Sequence, residues 1–275
     1  MEFLPARRHV SRLAHRDAGV VSGTSCVPEE TPIAMSFNGA SYAVMMATPA
    51  DLEDFAVGFA LNEGIISSPE EVRGLNIVAV EGGVDCQVEL ADDASDRLKT
   101  RRRRIAGPVG CGLCGIESIA EAVRPVPRQE GGDVRLSDAD IAQSVRLLAA
   151  AQPLHRETSA VHAAGFYLPG SGVIAVREDI GRHNALDKLA GVLSLRHVDA
   201  AKGAIVITSR VSVEMVQKTA VAGAPVLIAV SAPTALAVST AQHAGVTLVA
   251  RVRGNDFDIY THAHRISEGE KADVA

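Results

Sequence analysis

The sequence predicts an α/β protein, and three observations carry that prediction. From residue 160 onward, short runs rich in Val, Ile and Leu alternate with amphipathic stretches of helical period. Helix stop signals punctuate the alternation, with Gly223 and Gly245 closing two of those stretches. Upstream of about residue 100, two strand pairs flank a single helical stretch, the pattern of a smaller α+β region.

Taken in order, residues 1–28 show no periodicity and are expected to be a loose extension. Residues 29–106 form the α+β region. Apolar runs at 33–37 and 42–46 surround Asn38-Gly39, a hairpin signal. Thr48-Pro49-Ala50-Asp51 reads as a helix start, with Thr48 as cap and Asp51 closing a capping-box variant. Leu52, Phe55, Ala56 and Phe59 share one face, and Gly64 ends the helix. Asp51, Glu53 and Asp54 fit a solvated acidic first turn. Strands at 77–80 and 84–90 are joined by Gly82-Gly83. Residues 107–135 hold a Cys-x-x-Cys loop, a helix at about 116–123 and a linker. Residues 136–265 form the second unit, opening on a helix capped by Ser137 and Asp140 and running to about 151. Strands at 173–176, 204–208, 226–230 and 246–252 follow, with helices at 180–193, 212–222 and 234–244. This order implies right-handed crossovers and a largely parallel sheet. A loose tail, 266–275, ends the chain.

Composition narrows the function. The chain has 275 residues, 47% hydrophobic and 22% charged, which suits a soluble globular protein. Aromatics are only 3%, so Ala, Val, Leu and Ile must build the core. A net charge of −6 argues against nucleic acid as partner, yet Arg101 to Arg104, Arg251 and Arg253 leave room for local basic pockets. The longest apolar run is far too short to span a bilayer, and the N-terminus lacks the apolar core of a signal peptide. A cytoplasmic enzyme with no membrane association is the expectation.

The chemistry concentrates at Gly107-Pro108-Val109-Gly110-Cys111-Gly112-Leu113-Cys114-Gly115. Glycines give such a loop mobility and exposure, and the preceding arginines would favour thiolate over thiol. A thiolate is the nucleophilic form of sulfur, so the loop is a candidate for sulfur or redox chemistry. Half of a zinc site, a structural disulfide and two ordinary cysteines are the competing readings. Cys26 and Cys86 are isolated, and Cys86 falls in an alternating strand pattern that suits a small buried hydrophobe.

A second concentration lies at the carboxyl ends of the expected strands, where open α/β sheets bind ligands. Those ends carry Arg177-Glu178-Asp179, Thr208-Ser209-Arg210, Ser231-Ala232-Pro233-Thr234 and Arg253-Gly254-Asn255-Asp256. Ser and Thr there suit helix caps, but caps do not account for Arg210 or Arg253, and Arg beside helix N-termini points to an anionic ligand. Asp179 suits a cap of the next helix, and His183 near its start is either a ligand contact or a satisfied structural histidine. His162 invites comparison with zinc deaminases, but position 164 is Ala, so the required Glu is missing. There is no P-loop, no dinucleotide glycine fingerprint and no Ser-His-Asp order.

Together these segments resemble the formate dehydrogenase accessory sulfurtransferases, the FdhD family. The likeness runs from about residue 29 to 263. It rests on Glu30-Thr31-Pro32-Ile33, Val44-Met45-Met46-Ala47-Thr48-Pro49-Ala50-Asp51-Leu52-Glu53-Asp54, Gly58-Phe59, Glu63-Gly64-Ile65-Ile66, Cys111-Gly112-Leu113-Cys114-Gly115, His162-Ala163-Ala164, residues 177–188, Ser209-Arg210-Val211-Ser212 with Glu214, and Ser231-Ala232-Pro233-Thr234. The resemblance implies a persulfide carrier working as a sulfurtransferase. A cysteine desulfurase would load sulfur onto Cys111, with Cys114 assisting or resolving. The sulfur would pass to molybdenum in the bis(molybdopterin guanine dinucleotide) cofactor, bound as substrate, before insertion into formate dehydrogenase. It also implies a homodimer and a C-terminal three-layer α/β/α sandwich similar to cytidine deaminases. The family's Gly-Phe-x-Arg-Gly stretch corresponds to Ala250-Arg251-Val252-Arg253-Gly254, where Ala250 and Arg251 depart from the pattern. With Asn255, Asp256, His183, Arg210 and Ser231, the residues Arg251, Val252, Arg253 and Gly254 are the candidate contacts to a GDP-like moiety. The alternative function is a non-catalytic chaperone of the same cofactor, with Cys-x-x-Cys as a zinc or disulfide site.

Overall fold

The computed structural model describes residues 5–17, 19–105, 126–129 and 134–267. Cys111, Cys114, the rest of 107–115 and the helix expected at 116–123 lie outside them.

The first strands are β1 (Arg7–Arg16) and β2 (Gly19–Pro28), an antiparallel ribbon in register from Arg7↔Pro28 to Arg16↔Gly19. The sequence suggested no regular structure here. Alternation marks a strand only when one face is buried, and this ribbon is exposed along most of its length.

β3 (Thr31–Phe37), β4 (Ala40–Ala47), β5 (Val72–Val80) and β6 (Gly83–Leu90) form a four-stranded sheet of order β4-β3-β6-β5. Asn38 and Gly39 both adopt positive φ at the β3–β4 turn, as a tight hairpin requires. Ile33, Met35, Phe37, Val84, Cys86 and Val88 point to one face, against α1 (Leu52–Asn62) and α2 (Asp92–Ile105). α2 escaped sequence reading because its described apolar contribution is only Ala94 and Leu98, one turn apart in a charged segment.

The larger sheet has the order β13-β12-β11-β10-β8-β9, built from β8 (His162–Leu168), β9 (Gly172–Asp179), β10 (Ala204–Ile207), β11 (Val226–Ala229), β12 (Thr247–Arg253) and β13 (Asp256–Thr261). A short parallel pair, β7 (Leu136–Ser137) with β14 (Ile266–Ser267), lies apart from it. Only β10, β11 and β12 are parallel, while β8, β9 and β13 pair antiparallel, so the sheet is mixed instead of largely parallel. β10 and β11 are apolar at every position because helices cover both faces. α5 (Arg182–Leu195), α6 (Val213–Val221) and α7 (Ala235–Ala244) pack on one side, with Leu189, Met215 and Ala241 against Ile205, Leu227 and Leu248. α3 (Asp138–Ala150) covers the other, with Ile141 and Leu148 in one cluster with Val206 and Ile228. The Ser137–Asp140 capping box opens α3 as its sequence indicates. A short helix, α4 (Pro153–Thr158), follows, its first N–H groups held by the Glu178 carboxylate at 2.9 and 2.8 Å.

The two sheets are joined where α1 crosses α5. Gly58 and Gly191 lie at the crossing, and a Cβ on either would stand 1.8 Å from a carbonyl oxygen of the other helix, that of Asp187 or Asp54. Two helices approach this closely only with no side chain between them.

Candidate functional site

The carboxyl ends of β10, β11 and β12 and the start of β8 lie along one edge of the large sheet. The register Ala164↔Ile207↔Ala229 sets this alignment. The Arg251 N–H donates to the Ser231 carbonyl at 3.1 Å, extending it to β12. His162 and Asp179 are paired at the same edge. The loops after β10 and β11 are bound to each other, the Val211 N–H to Ala232 and the Thr234 N–H to Val211. This holds Arg210 and Ser231 beside each other's strands. The edge therefore collects His183, Arg210, Ser231 and the 251–256 segment, as their positions after apolar strands suggest.

They form two groups, not one. Between β8 and β12 lie three strand spacings, roughly 14 Å. At the β12 end, a bulge between Ala250 and Arg253 puts Arg251 at φ 58° and turns its side chain outward, 3.5 Å from the Asp258 carboxylate. Arg253 Nη1 donates to the Val230 carbonyl, bracing β12 against β11. Gly254, with φ 60°, and Asn255 turn the chain into β13, and Arg253 pairs with Asp256. Val252 is not at this surface. It is 2% exposed, in the cluster beneath α3 with Val249, because the irregularity after Ala250 shifts the alternation and takes Val252 off the face of Leu248 and Ala250.

At the β8 end, His162, Arg182 and His183 gather with Glu214 and Lys218 of α6. His183 Nε2 stands 3.4 Å from Glu214 Oε2 without hydrogen-bond geometry. Burial, with the cations of Lys218 and Arg182 and the neighbouring His162, lowers the His183 pKa to about 3, so the ring is neutral near pH 7. Burial and Arg182 also lower His162, with Asp179 opposing. The Nε of Arg182 and the Oγ of Ser212 are buried here without a protein partner. An open cleft of about 440 Å³, lined by His155, Ser159, Ala160, Val161, His162 and Thr208, adjoins the group. A cavity of about 340 Å³ beside Asp140 and Tyr167 borders the β8–β9 turn, away from this chemistry.

Beneath the edge lies an ionic anchor that sequence reading missed. Asp179 and Lys188 are fully buried, Nζ to Oδ2 2.7 Å. Asp179 Oδ2 also accepts from the Thr48 N–H at 3.0 Å, and Oδ1 accepts from the Gly181 N–H and from Asn184. Lys188 donates to the Thr48 carbonyl at 2.9 Å, and the Thr48 hydroxyl accepts from the Ile180 N–H. Thr48 is thus a tie between the two sheets and not a helix cap. The helix begins instead at Leu52, after Asp51 in the left-handed region, with no side-chain cap. Asp54 is no solvated acid either, because Arg177 grips it from β9, Nη2 to Oδ2 2.6 Å. Below, Asp187 accepts from Asn62 at 2.7 Å and from Lys218, and burial raises its pKa against the pull of Lys218. The one sequence signal for this anchor is the density of charged residues at 177–188 in an otherwise apolar setting.

Of the described cysteines, Cys86 is fully buried in β6, and burial, with Asp85 beside it, pushes its thiol up to about 12. Cys26 lies at the base of the ribbon, Sγ 3.9 Å from Glu157. Among the described residues no helix is long and apolar enough to cross a membrane.

The FdhD/NarQ family model matches residues 28–267. The chain is 56% identical over 259 residues, 94% of its length, to a protein of Agrobacterium fabrum named sulfur carrier protein FdhD, covering 96% of that protein. A Brucella abortus protein of the same name is 57% identical over 95% of this chain and 97% of its own. A crystal structure of a proposed formate dehydrogenase accessory protein from Desulfotalea psychrophila superposes with a TM-score of 0.76. It is 27% identical, over 96% of this chain and all of that one. These matches span both sheets, the anchor and the strand-end groups, and the chain belongs to the FdhD/NarQ family.

Proposed function

We propose that this protein is a cytoplasmic sulfur carrier for the maturation of formate dehydrogenase, working as a persulfide sulfurtransferase. The observation that carries the reading is its similarity, over nearly the whole chain, to proteins named sulfur carrier, in a sequence that keeps Cys111-Gly112-Leu113-Cys114. In the proposed reaction the Cys111 thiolate attacks the outer sulfur of a persulfide on a cysteine desulfurase. The donor S–S bond breaks, the donor keeps a thiolate, and Cys111 carries the sulfane sulfur. Cys114 assists or resolves. Burial and a raised pKa leave Cys86 unfit for that role.

The recipient is molybdenum in the bis(molybdopterin guanine dinucleotide) cofactor, which is substrate here. The cationic group of Arg251 and Arg253 with Gly254, Asn255 and Asp256 suits a guanosine diphosphate moiety, since Arg offers paired donors to phosphate oxygens. Arg210 and Ser231 continue the edge toward His183, which suits an elongated ligand. A homodimer presenting two such edges fits a cofactor with two nucleotide arms. Incubation with a desulfurase and cysteine, followed by peptide mass spectrometry, tests the reading. One sulfur atom should appear on the Cys111 peptide and be absent from Cys111→Ala, with Cys114→Ala milder. Undiminished loading and formate dehydrogenase activation in Cys111→Ala would overturn it.

A further inference from the structure

Folded proteins satisfy the polar groups they bury, so a cluster of unsatisfied ones calls for an explanation. Elsewhere in this chain comparable arginines are engaged: Arg97 by Glu71, Arg177 by Asp54, and the buried Arg265 by three acceptors. At the β8 end of the strand edge this pattern breaks. Arg182 makes no hydrogen bond or ion pair among the described residues, and its Nε is buried. His183 Nε2 and Ser212 Oγ are buried without a hydrogen-bond partner as well. Arg182 and His183 open α5, while Ser212 stands two residues before Glu214, whose carboxylate lies 3.4 Å from His183 Nε2. The Glu214 side chain is 26% exposed, and among the described residues it accepts no hydrogen bond.

The charges around this cluster decide what it can hold. Lys218 is bound to Asp187 and Lys188 to Asp179, so those four cancel in pairs. The His183 ring is neutral near pH 7. What remains is one cation, Arg182, and one anion, Glu214, both beside His183 and with no ion pair between them. A phosphate group would be repelled by Glu214, and an amine by Arg182. The set is satisfied by a neutral ligand whose rim carries donors on one stretch and an acceptor on the next. The adjoining cleft, about 440 Å³ with Ala160 and Val161 beside His162 in its walls, has the size of a small-molecule site and room for a fused ring. A 2-amino-4-oxopyrimidine ring has the required rim. Its ring N–H and amino group are two parallel donors that match a carboxylate, and its carbonyl oxygen stands next to them.

We propose that the β8 end of the edge recognises a 2-amino-4-oxopyrimidine ring, with Glu214 accepting from the ring N–H and the 2-amino group and with Arg182 and Ser212 donating to the 4-oxo oxygen. The proposal rests on the cofactor reading for the source of that ring, which the pterin and the guanine both contain. The 251–256 group lies roughly 14 Å away, so ring and phosphates are held at different ends of the edge. Glu214 is then the residue that sets specificity, because a ring without the amino group leaves one of its lone pairs unmatched.

Two titrations of the full chain test this, and both begin with the wild type, so neither depends on a variant folding. In the first, quenching of pterin fluorescence follows the binding of 6-hydroxymethylpterin, and 6-hydroxymethyllumazine, with oxo in place of the amino group, competes for the site. In the second, calorimetry compares GDP with IDP, which lacks the amino group. At least one aminated ligand should bind roughly tenfold or more tighter than its partner. Glu214→Gln, with an unchanged circular dichroism spectrum, should weaken that ligand roughly tenfold to a hundredfold and erase the preference. Loss of pterin alone names the pterin as the ring held here, loss of GDP names the guanine, and either supports the proposal. A wild type that prefers neither aminated ligand, or a Glu214→Gln variant that binds both as the wild type does, would overturn it. GDP binding that persists in those cases leaves the cofactor reading standing without this site.

Discussion

Replacing Lys188 by Met tests the buried anchor directly. Met fills nearly the same volume and keeps the contact with the Phe55 ring, which the Lys188 ammonium faces at 5.5 Å. What is lost is charge. The Asp179 carboxylate, at 0% exposure, keeps its bonds from Thr48, Gly181 and Asn184 but has no counter-ion, and the Thr48 carbonyl loses its donor. Removing one partner of a buried pair costs about 3–5 kcal/mol, against a total stability on the order of 5–15 kcal/mol. Lys188→Met should therefore lower the urea midpoint by about a fifth of its value or more. The double variant Asp179→Asn/Lys188→Met removes the orphaned charge and should recover about 1–3 kcal/mol of that loss. Equilibrium urea denaturation of the three proteins decides it. A Lys188→Met variant within about 1 kcal/mol of wild type, or a double variant no better than the single, would refute the argument.

Gly58→Ala brings a methyl group to 1.8 Å from the Asp187 carbonyl. The overpacking should outweigh the helix-propensity gain of about 1 kcal/mol and leave a net loss of about 1–2 kcal/mol; thermal unfolding at or above the wild-type midpoint would contradict this. For His183, the unfolded ring takes its proton near the usual histidine value and the folded ring only at about 3. The unfolded state thus binds more protons below about pH 6.5, so this contribution is complete above that value and is lost as pH falls toward 3. Between about pH 6.5 and about pH 5 the loss is at most about 2 kcal/mol. His183→Gln should flatten that part of the stability profile, and parallel profiles would count against it. Arg253→Ala should weaken GDP binding by calorimetry roughly tenfold to a hundredfold, the value of about 1.5–3 kcal/mol for a charge-assisted contact. Equal affinities would move the nucleotide elsewhere along the edge.

The sequence reading succeeded where burial imposes a pattern. β10, β11 and the helices after them were legible because strands covered on both faces read as unbroken apolar runs, and Gly223 and Gly245 mark the helix ends. It failed where burial leaves no pattern. β8 has Ala and Gly at its centre, β13 alternates with exposed Asp, and the ribbon covers almost nothing. Thr48 shows a different failure. Its local context reads as a helix start, but its backbone and hydroxyl are taken by residues more than 130 positions away, a competition no window of neighbours reveals. At the site, the strand-end positions were legible from topology rules. The side on which Val252 is buried was not, because a bulge shifts the alternation after Ala250 without a distinctive residue to mark it.

The state of Cys86 has a practical consequence for following sulfur on this protein. A thiol at about 12, sealed beneath α1 and α2, forms almost no thiolate near pH 7. Alkylating reagents applied to the native fold should therefore spare it, and it becomes reactive only on unfolding. Modification at Cys86 then serves as an internal gauge of intactness, reporting the fraction of molecules that opened during handling. Any sulfur signal elsewhere can be scaled to the molecules that stayed folded.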